Sequence, residues 1–360
     1  RDWSVTGVQT CALPICQYDH EVQGNTILKP LVGPRGVGPG DGSVIEPIPG
    51  SNRGIAIACG LQTPVGDPDV GGDPYQMALA AIDECVRNLV CVGADPDRIA
   101  ILDNFCWPSC QKPENLGSLV RAAEGCYDGA KAYKTPFVSG KDSLNNQFTI
   151  PGEGDQPPRT IQIPPTLLIT GLGIVPDLSR VCTSDAKRPG SVLMLVEPFT
   201  TSLGLGASRY ASAFGLNATD GSAAIPRVDL ASGPRAASLI AELMRERLIR
   251  SAHDVSDGGA LVAIAEMLIG ARGDRSSLGL RIEHTDAAPH AFAFSEAPSR
   301  YIVEVEPSHA ALVSERAARA GARAVRLGTL DESGALAWPA TGLHVPVEDL
   351  VLAWRGTLDW

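Results

Sequence analysis

The strongest constraint on the fold is an alternation of strand and helix patterns that begins at Gly54 and occurs in two blocks. Short apolar runs typical of buried strands, such as GIAIACG (54–60) and TLLITGLGIV (166–175), alternate with amphipathic stretches typical of helices. Apolar periodicity lapses between residues 176 and 189. We therefore predict an α/β or α+β fold with two domains, which agrees with a length of 360 residues.

Asp73 and Pro74 begin the clearest helix pattern, because Asp suits the N-cap and Pro the first turn. Apolar residues then form one stripe to about Val92. Glu84 and Asn88 are four residues apart, so they lie on one helix face and could share a cation; an ordinary solvent-facing pair is the alternative. The patterns also predict helices over 114–133, 234–248, 260–271 and 308–320, a polar loop over 151–165 and a turn at HDVSDGG (253–259).

Composition excludes several classes of protein. Acidic residues outnumber basic ones 41 to 30, which argues against a protein that binds nucleic acid or an anionic membrane through basic patches. No run approaches the roughly 18 apolar residues of a membrane span, and no secretory signal is evident. The nine Cys are scattered through apolar patterns without zinc-ligand spacing. We therefore predict a cytoplasmic protein with reduced thiols.

The beginning of the chain is unusual. Residues 5–15 read VTGVQTCALPI, which resembles the translation of a sequencing adapter; an ordinary disordered arm is the alternative. Residue 1 is Arg, and the first Met is Met77, inside a helix pattern. We expect residues 1–16 to be non-native and the remainder to be a fragment of a longer protein.

The common nucleotide-binding motifs are absent. SGKDS (139–143) lacks the spacing of a P-loop, and GLGIV and GLGAS lack the third Gly of a dinucleotide fingerprint. Two weaker candidates remain. The Gly-rich segment 33–43 contains Asp41 and could approach phosphates through its backbone, while Asp254 and Ser256 precede a helix whose amino end favours anions. Such oxygen ligands suit Mg²⁺, although a linker and a helix cap are the plain alternatives.

Six long segments strengthen this interpretation because they occur in one order. They are YDHEVQGNT, GPGDGSV, DPYQMALAAIDECVRNLVCVGADP, LDNFCWPSCQKPE, TPFVSGKDSLNN and HDVSDGGALVAIAEM. From Gln17 onward the chain closely resembles the C-terminal half of phosphoribosylformylglycinamidine (FGAM) synthases, the ATP-dependent amidine-forming enzymes of purine biosynthesis. The resemblance implies an AIR-synthase-like unit with a barrel-forming N-terminal domain (17–178) and a C-terminal α/β domain (179–360).

The resemblance also implies site residues. Metal ligands would be Asp41, Glu84, Asn88 and Asp254, ATP contacts Asp103, Gly140, Lys141 and Ser256, and the substrate contact Ser143. Shorter family members have Asn in the place of Lys141. Because an ammonium group cannot ligate a cation, Lys141 is expected to contact phosphate oxygens directly.

By the same resemblance, the function is ATP- and Mg²⁺-dependent conversion of formylglycinamide ribonucleotide to formylglycinamidine ribonucleotide with glutamine-derived ammonia. The catalytic His would lie in the missing N-terminal half, and a glutaminase would be the partner, so the chain alone is expected to be inactive. His20 and His253 are expected to be structural. Two alternatives remain open: a non-catalytic half that holds ADP and magnesium, and a related enzyme such as a small-molecule kinase or a selenophosphate synthetase.

Overall fold

The computed structural model describes residues 24–152, 154, 156–216, 223–273, 277–284 and 288–356. The predicted non-native segment 1–16 and His20 lie outside these residues. The helices are α1 (Pro74–Cys91), α2 (Pro113–Tyr133), α3 (Arg209–Phe214), α4 (Gly233–Arg245), α5 (Gly259–Ala271), α6 (Pro289–Phe294), α7 (Ala310–Arg319) and α8 (Val347–Gly356). The strands are β1 (Thr26–Leu28), β2 (Leu31–Val32), β3 (Gly38–Pro39), β4 (Ser43–Ile45), β5 (Gly54–Leu61), β6 (Ile99–Cys106), β7 (Phe137–Ser143), β8 (Gln147–Ile150), β9 (Arg159–Gln162), β10 (Thr166–Val175), β11 (Val192–Pro198), β12 (Ile249–Asp254), β13 (Gly279–Ile282), β14 (Tyr301–Val305), β15 (Ala322–Asp331), β16 (Ala335–Trp338) and β17 (Leu343–Pro346).

The first sheet is open and has the strand order β1-β4-β5-β10-β6-β7, with one parallel pair, β6–β7. Helix α1 packs on β5 and β10, and α2 packs on α1. Glycine permits this close approach, because a Cβ at Gly60 would lie 2.1 Å from the carbonyl oxygen of Ala81 in α1. The opposite face carries exposed apolar side chains such as Ile57 and Leu172.

The second sheet separates two apolar cores. Its strand order is β12-β14-β11-β15-β13-β16-β17. Two of these strands, β11 and β14, are buried along their whole length. Because side chains alternate along a strand, Met194 and Val196 of β11 join the core shared with the first sheet. Leu193 and Leu195 join a second core around α5. Near-continuous apolar runs are expected of strands covered on both faces.

The structure bears out most predicted elements and corrects two. Asp73 caps α1 by accepting a hydrogen bond from the N–H of Tyr75 at 3.0 Å, and β10 coincides with the strand pattern 166–175. The loop prediction for 151–165 is wrong in part, because β9 pairs there with β8. The predicted turn at 253 is also wrong at its start. His253 and Asp254 end strand β12, where main-chain pairing with β14 outweighs their polar character.

The Gly-rich segment near Asp41 is fixed by the C-terminal part of the chain. A Cβ at Gly33 would lie 1.8 Å from the carbonyl oxygen of Gly270 in α5, so the hairpin β2–β3 packs backbone against backbone. Trp354 of α8 donates its indole N–H to the carbonyl oxygen of Val37 at 2.9 Å. The first part of the Gly-rich segment is therefore a docked hairpin and not a linker.

Within the described residues, no helix has both the length and the apolar character needed to cross a membrane. The cysteines in this part of the chain are free thiols. Burial raises the pKa of the Cys91 thiol, which is fully enclosed in the core. Such a thiol is a packing group and a poor nucleophile.

Candidate functional site

Three polar side chains converge where the segment after β3 meets the end of β12. Asp41, His253 and Asp254 each offer a ligand atom, and these atoms lie within 4.8 Å of one another. The His253 Nδ1 is 2.5 Å from Asp41 Oδ1, and its Nε2 is 3.0 Å from Glu266 Oε2 on α5. The three converging side chains are only 1–5% exposed. The N- and C-terminal parts of the chain thus build this carboxylate cluster together.

Two buried carboxylate oxygens of the cluster accept no hydrogen bond from a described residue. Burial lowers the pKa of His253, but Asp41 and Glu266 outweigh burial and raise that pKa well above its usual value. Burial also raises the pKa of Asp254 to about 7, with Arg87 acting against it and Asp41 adding to it. Among the described residues, neither Asp41 Oδ2 nor Asp254 Oδ2 has a hydrogen-bond partner. Buried carboxylate oxygens that accept no hydrogen bond are suited to a cation.

Arg87 of α1 connects the cluster to the contact between the two domains. Its Nη1 is 2.9 Å from Asp83 Oδ2, and its Nη2 is 3.4 Å from Asp254 Oδ2. Asp83 also accepts hydrogen bonds from the Tyr133 hydroxyl at 2.5 Å and from the main-chain N–H of Ser299 at 2.9 Å. Since Tyr133 ends α2 and Ser299 lies in the C-terminal part, this buried network clamps the two parts together.

Glu84 and Asn88 lie on the face of α1 that runs along β5. Glu84 Oε2 accepts the N–H of Leu61 at 2.6 Å, and Asn88 Nδ2 donates to the carbonyl oxygen of Cys59 at 2.9 Å. Burial raises the pKa of Glu84, whose charge in turn raises the pKa of Asp254. Glu84 and Asp254 are therefore close enough to interact electrostatically. Glu84 is only 9% exposed, so it does not lie on a solvent-facing side of the helix.

The other predicted group lies on the edge pair β6–β7. The register pairs Asp103 with Gly140, where a Cβ would lie 2.4 Å from Asp103 Oδ1, so the carboxylate occupies space that only glycine leaves free. Burial raises the pKa of Asp103. Because side chains alternate along a strand, Lys141 and Ser143 lie on the opposite face, where the ammonium group donates to the hydroxyl.

The edge group is separate from the carboxylate cluster. Two strands, β10 and β6, lie between β5 and β7, which corresponds to about 14 Å at ordinary strand spacing. Lys141 is exposed and forms no ion pair with a described residue. The structure therefore places Asp41 and Asp254 together in a buried cluster, and Asp103, Gly140, Lys141 and Ser143 at an exposed sheet edge.

Ser256 lies in the turn that joins β12 to α5. Its carbonyl oxygen accepts the N–H of Gly259 at 3.0 Å, and its side chain is half-buried. Gly258 and Gly259 have φ angles of 82° and 75°, so the turn depends on glycine. The turn brings the amino end of α5, with its partial positive charge, next to the end of β12.

A further carboxylate, Glu296, holds this turn against the first residue of α3. Glu296 Oε1 accepts the main-chain N–H groups of Gly258 and Arg209, each at 2.7 Å. Arg209 in turn forms an ion pair with Asp257 at 2.8 Å. Burial raises the pKa of Glu296 to about 7, although the two N–H donors act against the shift. The turn is therefore braced by side chains from two other segments.

Sequence reasoning points to Asp41 and Asp254 but misses the groups that hold them. Asp83 and Arg87 carry a usable signal, because opposite charges four residues apart interrupt the apolar run LAAIDECVRNLVC. His253 carries no comparable signal, since its partner Asp41 is 212 residues away in the chain.

Comparison with protein families accounts for both sheets. Residues 40–175 match the AIR synthase related protein, N-terminal domain, and residues 188–338 match the C-terminal domain. The chain belongs to the AIR synthase related family. The predicted two-domain, AIR-synthase-like α/β fold is thereby confirmed, while the limits 17–178 and 179–360 stay predictions.

Curated relatives carry the name that the motifs suggest. The chain is 32% identical over 340 residues to the phosphoribosylformylglycinamidine synthase subunit PurL of Brucella ovis, and equally so to that of Brucella abortus. Each alignment covers 94% of this chain and 41% of the relative. The chain thus spans about two-fifths of the length of these relatives, and the predicted resemblance to FGAM synthases is confirmed.

Solved structures share the fold at low sequence identity. The PurL of Thermotoga maritima complexed with FGAR has a TM-score of 0.65 at 18% identity, with 92% of this chain and 48% of that chain covered. The same protein complexed with ATP has a TM-score of 0.62 at 18% identity, with 96% and 52% covered. A chain of a HypE–HypF complex has a TM-score of 0.57 at 16% identity, with 84% and 91% covered. The last match indicates that one such unit can form nearly a whole chain.

Proposed function

We propose that this chain is a nucleotide- and magnesium-binding portion of an FGAM synthase, a ligase of purine biosynthesis. The whole enzyme would convert formylglycinamide ribonucleotide to formylglycinamidine ribonucleotide with ATP and glutamine-derived ammonia. The observation that carries the proposal is a pair of buried carboxylate oxygens, Asp41 Oδ2 and Asp254 Oδ2, that accept no hydrogen bond from a described residue. The 32% identity to PurL subunits supports the assignment to this reaction.

The residues of the carboxylate cluster fit a divalent cation. In and around the cluster, two cationic side chains, Arg87 and His253, face more carboxylates than they can neutralise. These carboxylates are Asp41, Asp83, Glu84, Asp254 and Glu266. Because buried negative charge is unfavourable unless it is compensated, we propose Asp41, Glu84, Asn88 and Asp254 as the ligands of Mg²⁺. A bound Mg²⁺ would neutralise the phosphate oxygens of a nucleotide.

The chain's own residues have separate proposed roles around the nucleotide. His253 holds Asp41 Oδ1 and so orients that carboxylate, while Arg87 does the same for Asp254. Ser256, at the amino end of α5, suits a phosphate group. At the sheet edge, we propose that Asp103, Gly140 and Lys141 contact ATP and that Ser143 contacts the substrate.

We also propose that turnover requires the part of the relatives that this chain does not span, and that a glutaminase supplies the ammonia unless ammonium is added directly. The separation of the carboxylate cluster from the residues on β6 and β7 supports this proposal. Because β7 is an exposed edge strand away from the cluster, further protein groups are needed there to enclose a substrate. The assay is formation of product from formylglycinamide ribonucleotide, ATP and ammonium chloride. Turnover after addition of the N-terminal portion of a PurL relative is the expected result. Turnover by this chain alone would contradict the proposal.

A second candidate is a non-catalytic half that holds ADP and magnesium permanently. It is favoured by the near-complete burial of Asp41 and Asp254, which suits an ion that does not exchange. Calorimetry with ADP and MgCl₂ distinguishes the two. Nucleotide that survives Lys141→Ala but is lost with Glu84→Gln indicates the permanent site. Loss with Lys141→Ala and not with Glu84→Gln indicates an exchanging site at the sheet edge.

Magnesium alone provides a simpler test of the cluster. Millimolar MgCl₂ is expected to raise the free energy of unfolding by about 1–3 kcal/mol, because the ion binds the folded form only. Asp254→Asn should abolish this effect, whereas Asp349→Asn, an exposed acid on α8, should retain it. Equal stabilisation of both variants by MgCl₂ would refute the proposed ligand set.

A further inference from the structure

A separate cavity opens at the other end of β12. It has a volume of about 520 Å³ and lies between the helical turn Leu178–Arg180, the end of α4 and the start of β12. Arg250 lines it, whereas Asp254 is four residues further along the same strand, or about 13 Å at the usual rise. The cavity is therefore distinct from the carboxylate cluster.

The wall of this cavity is strongly cationic in a chain of net charge -11. One carboxylate, that of Glu306, lines it against a larger set of cations. Those cations are Arg180, Lys187, Arg188, Arg247 and Arg250. A concentration of positive charge in a concave site attracts anions even when the whole protein is acidic.

Two of these cations form no ion pair with a carboxylate of the described residues. The paired ones are Arg180 with Asp177, Lys187 with Asp185, and Arg250 with Glu306. Within the described part of the chain, Arg188 and Arg247 form no ion pair. Arg247 follows the end of α4 with a φ of 57°, a position where glycine is usual. A guanidinium group without a carboxylate partner is well suited to bidentate contact with phosphate.

The cavity also has an apolar side. Met244 and Leu248 line it together with Val181, and the thiol of Cys182 lies on the same wall. Pockets that combine apolar surface with a few convergent charges are typical of small-molecule sites. A ligand for this cavity therefore carries both anionic groups and an apolar part.

We propose that this cavity binds a soluble small molecule that carries a di- or triphosphate, with the phosphates on Arg188 and Arg247 and the remainder against Met244 and Leu248. The binding requires no divalent cation, because the protein supplies the positive charge. The site uses none of the residues assigned to the FGAM synthase function, so it stands or fails independently of that function.

Calorimetry of the full chain with sodium pyrophosphate in EDTA tests the proposal, since EDTA removes any cation from the carboxylate cluster. We expect binding that weakens by at least about tenfold for each of Arg188→Glu and Arg247→Glu. The matched control is Arg281→Glu with Arg355→Glu, two exposed arginines outside the cavity, which should leave the affinity unchanged. Absence of binding to the unaltered chain, or equal weakening in the control, would overturn the proposal. ADP in EDTA should bind more tightly than pyrophosphate, and weaker binding would contradict the role of the apolar wall.

A chemical probe locates the ligand without substitutions. Cys182 is half-buried on the cavity wall, and Cys59 is an exposed thiol on β5. Saturating pyrophosphate should slow modification of Cys182 by N-ethylmaleimide several-fold while Cys59 reacts unchanged, as measured by peptide mass spectrometry. Sodium sulfate at equal ionic strength controls for screening. Unchanged reactivity of Cys182 would refute binding in this cavity.

Discussion

Replacing Asp83 by Asn should destabilise the protein strongly, because the amide cannot serve both sides of the buried network. Asp83 Oδ1 accepts the hydroxyl groups of Tyr133 and Ser299, each at 2.5 Å. Its Oδ2 accepts the N–H of Ser299 at 2.9 Å and forms an ion pair with Arg87, whose Nη1 is also 2.9 Å away. If the oxygen of the introduced amide faces the hydroxyl groups of Tyr133 and Ser299, the amide NH₂ group faces the Arg87 guanidinium and the N–H of Ser299, which are themselves donors. The flipped amide leaves both hydroxyls without an acceptor.

The expected magnitude follows from the burial of the pair. Asp83 is 1% exposed and Arg87 is 2% exposed, so water screens their interaction little. Two unit charges about 4 Å apart attract by about 4 kcal/mol at an effective dielectric constant of 20. Removal of one partner from a buried pair typically destabilises by about 3–5 kcal/mol. We therefore expect Asp83→Asn to lower the free energy of unfolding by about 3–5 kcal/mol.

Urea denaturation followed by tryptophan fluorescence measures this loss. The double variant Asp83→Asn/Arg87→Met should lose at least about 2 kcal/mol less than the sum of the single variants, because neither charge is left alone. Asp128→Asn is the matched control. Asp128 accepts the Tyr75 hydroxyl at 2.8 Å outside the core, so its loss should be about 1 kcal/mol or less. A loss below about 1 kcal/mol for Asp83→Asn, or additive losses in the double variant, would refute the reasoning.

Two further substitutions test the packing and the turn. Glu296 has a pKa raised to about 7, so the folded form holds its proton longer than the unfolded form, and stability falls as pH rises from about 4.5 to 7. Glu296→Gln keeps an oxygen for the N–H groups of Gly258 and Arg209 but does not titrate. The free energy of unfolding of this variant, minus that of the parent chain, should therefore rise by about 1–2 kcal/mol from pH 5 to pH 8, after allowance for partial solvent screening. The same difference at both pH values in urea denaturation would contradict this. Gly60→Ala should lower the free energy of unfolding by about 1–3 kcal/mol, because the new Cβ would lie 2.1 Å from the carbonyl oxygen of Ala81. A thermal midpoint equal to that of the parent chain would refute the close packing of α1 on β5.

The parts that sequence reasoning predicts well are those determined locally. The N-cap at Asp73 and the apolar run of β10 depend on neighbouring residues, so helix and strand patterns find them. The opposite orientation of Asp103 and Lys141 depends on the strand register after an irregularity near Ile101, which no local pattern shows. The imidazole between Asp41 and Glu266 depends on contacts between distant segments.

The cationic cavity was beyond prediction for a different reason. Its cations come from two distant segments, 180–188 and 247–250, and Arg180, Arg188 and Arg247 look in sequence like ordinary surface charges. Net charge is an average over the whole chain and says nothing about where charges of one sign meet. Only the fold brings the end of α4 against the segment that follows the first sheet.

The docking of the β2–β3 hairpin on Gly270 and Trp354 has a consequence for the order in which the protein is made. Asp41 leaves the ribosome well before its neighbours in space, because His253 follows it by 212 residues. Closing so long a loop is slow, and it must follow the formation of β12 and α5. A chain interrupted before residue 253 would carry Asp41 without His253 or Asp254. A cation bound in this cluster would therefore stabilise finished molecules and leave nascent or truncated chains unprotected.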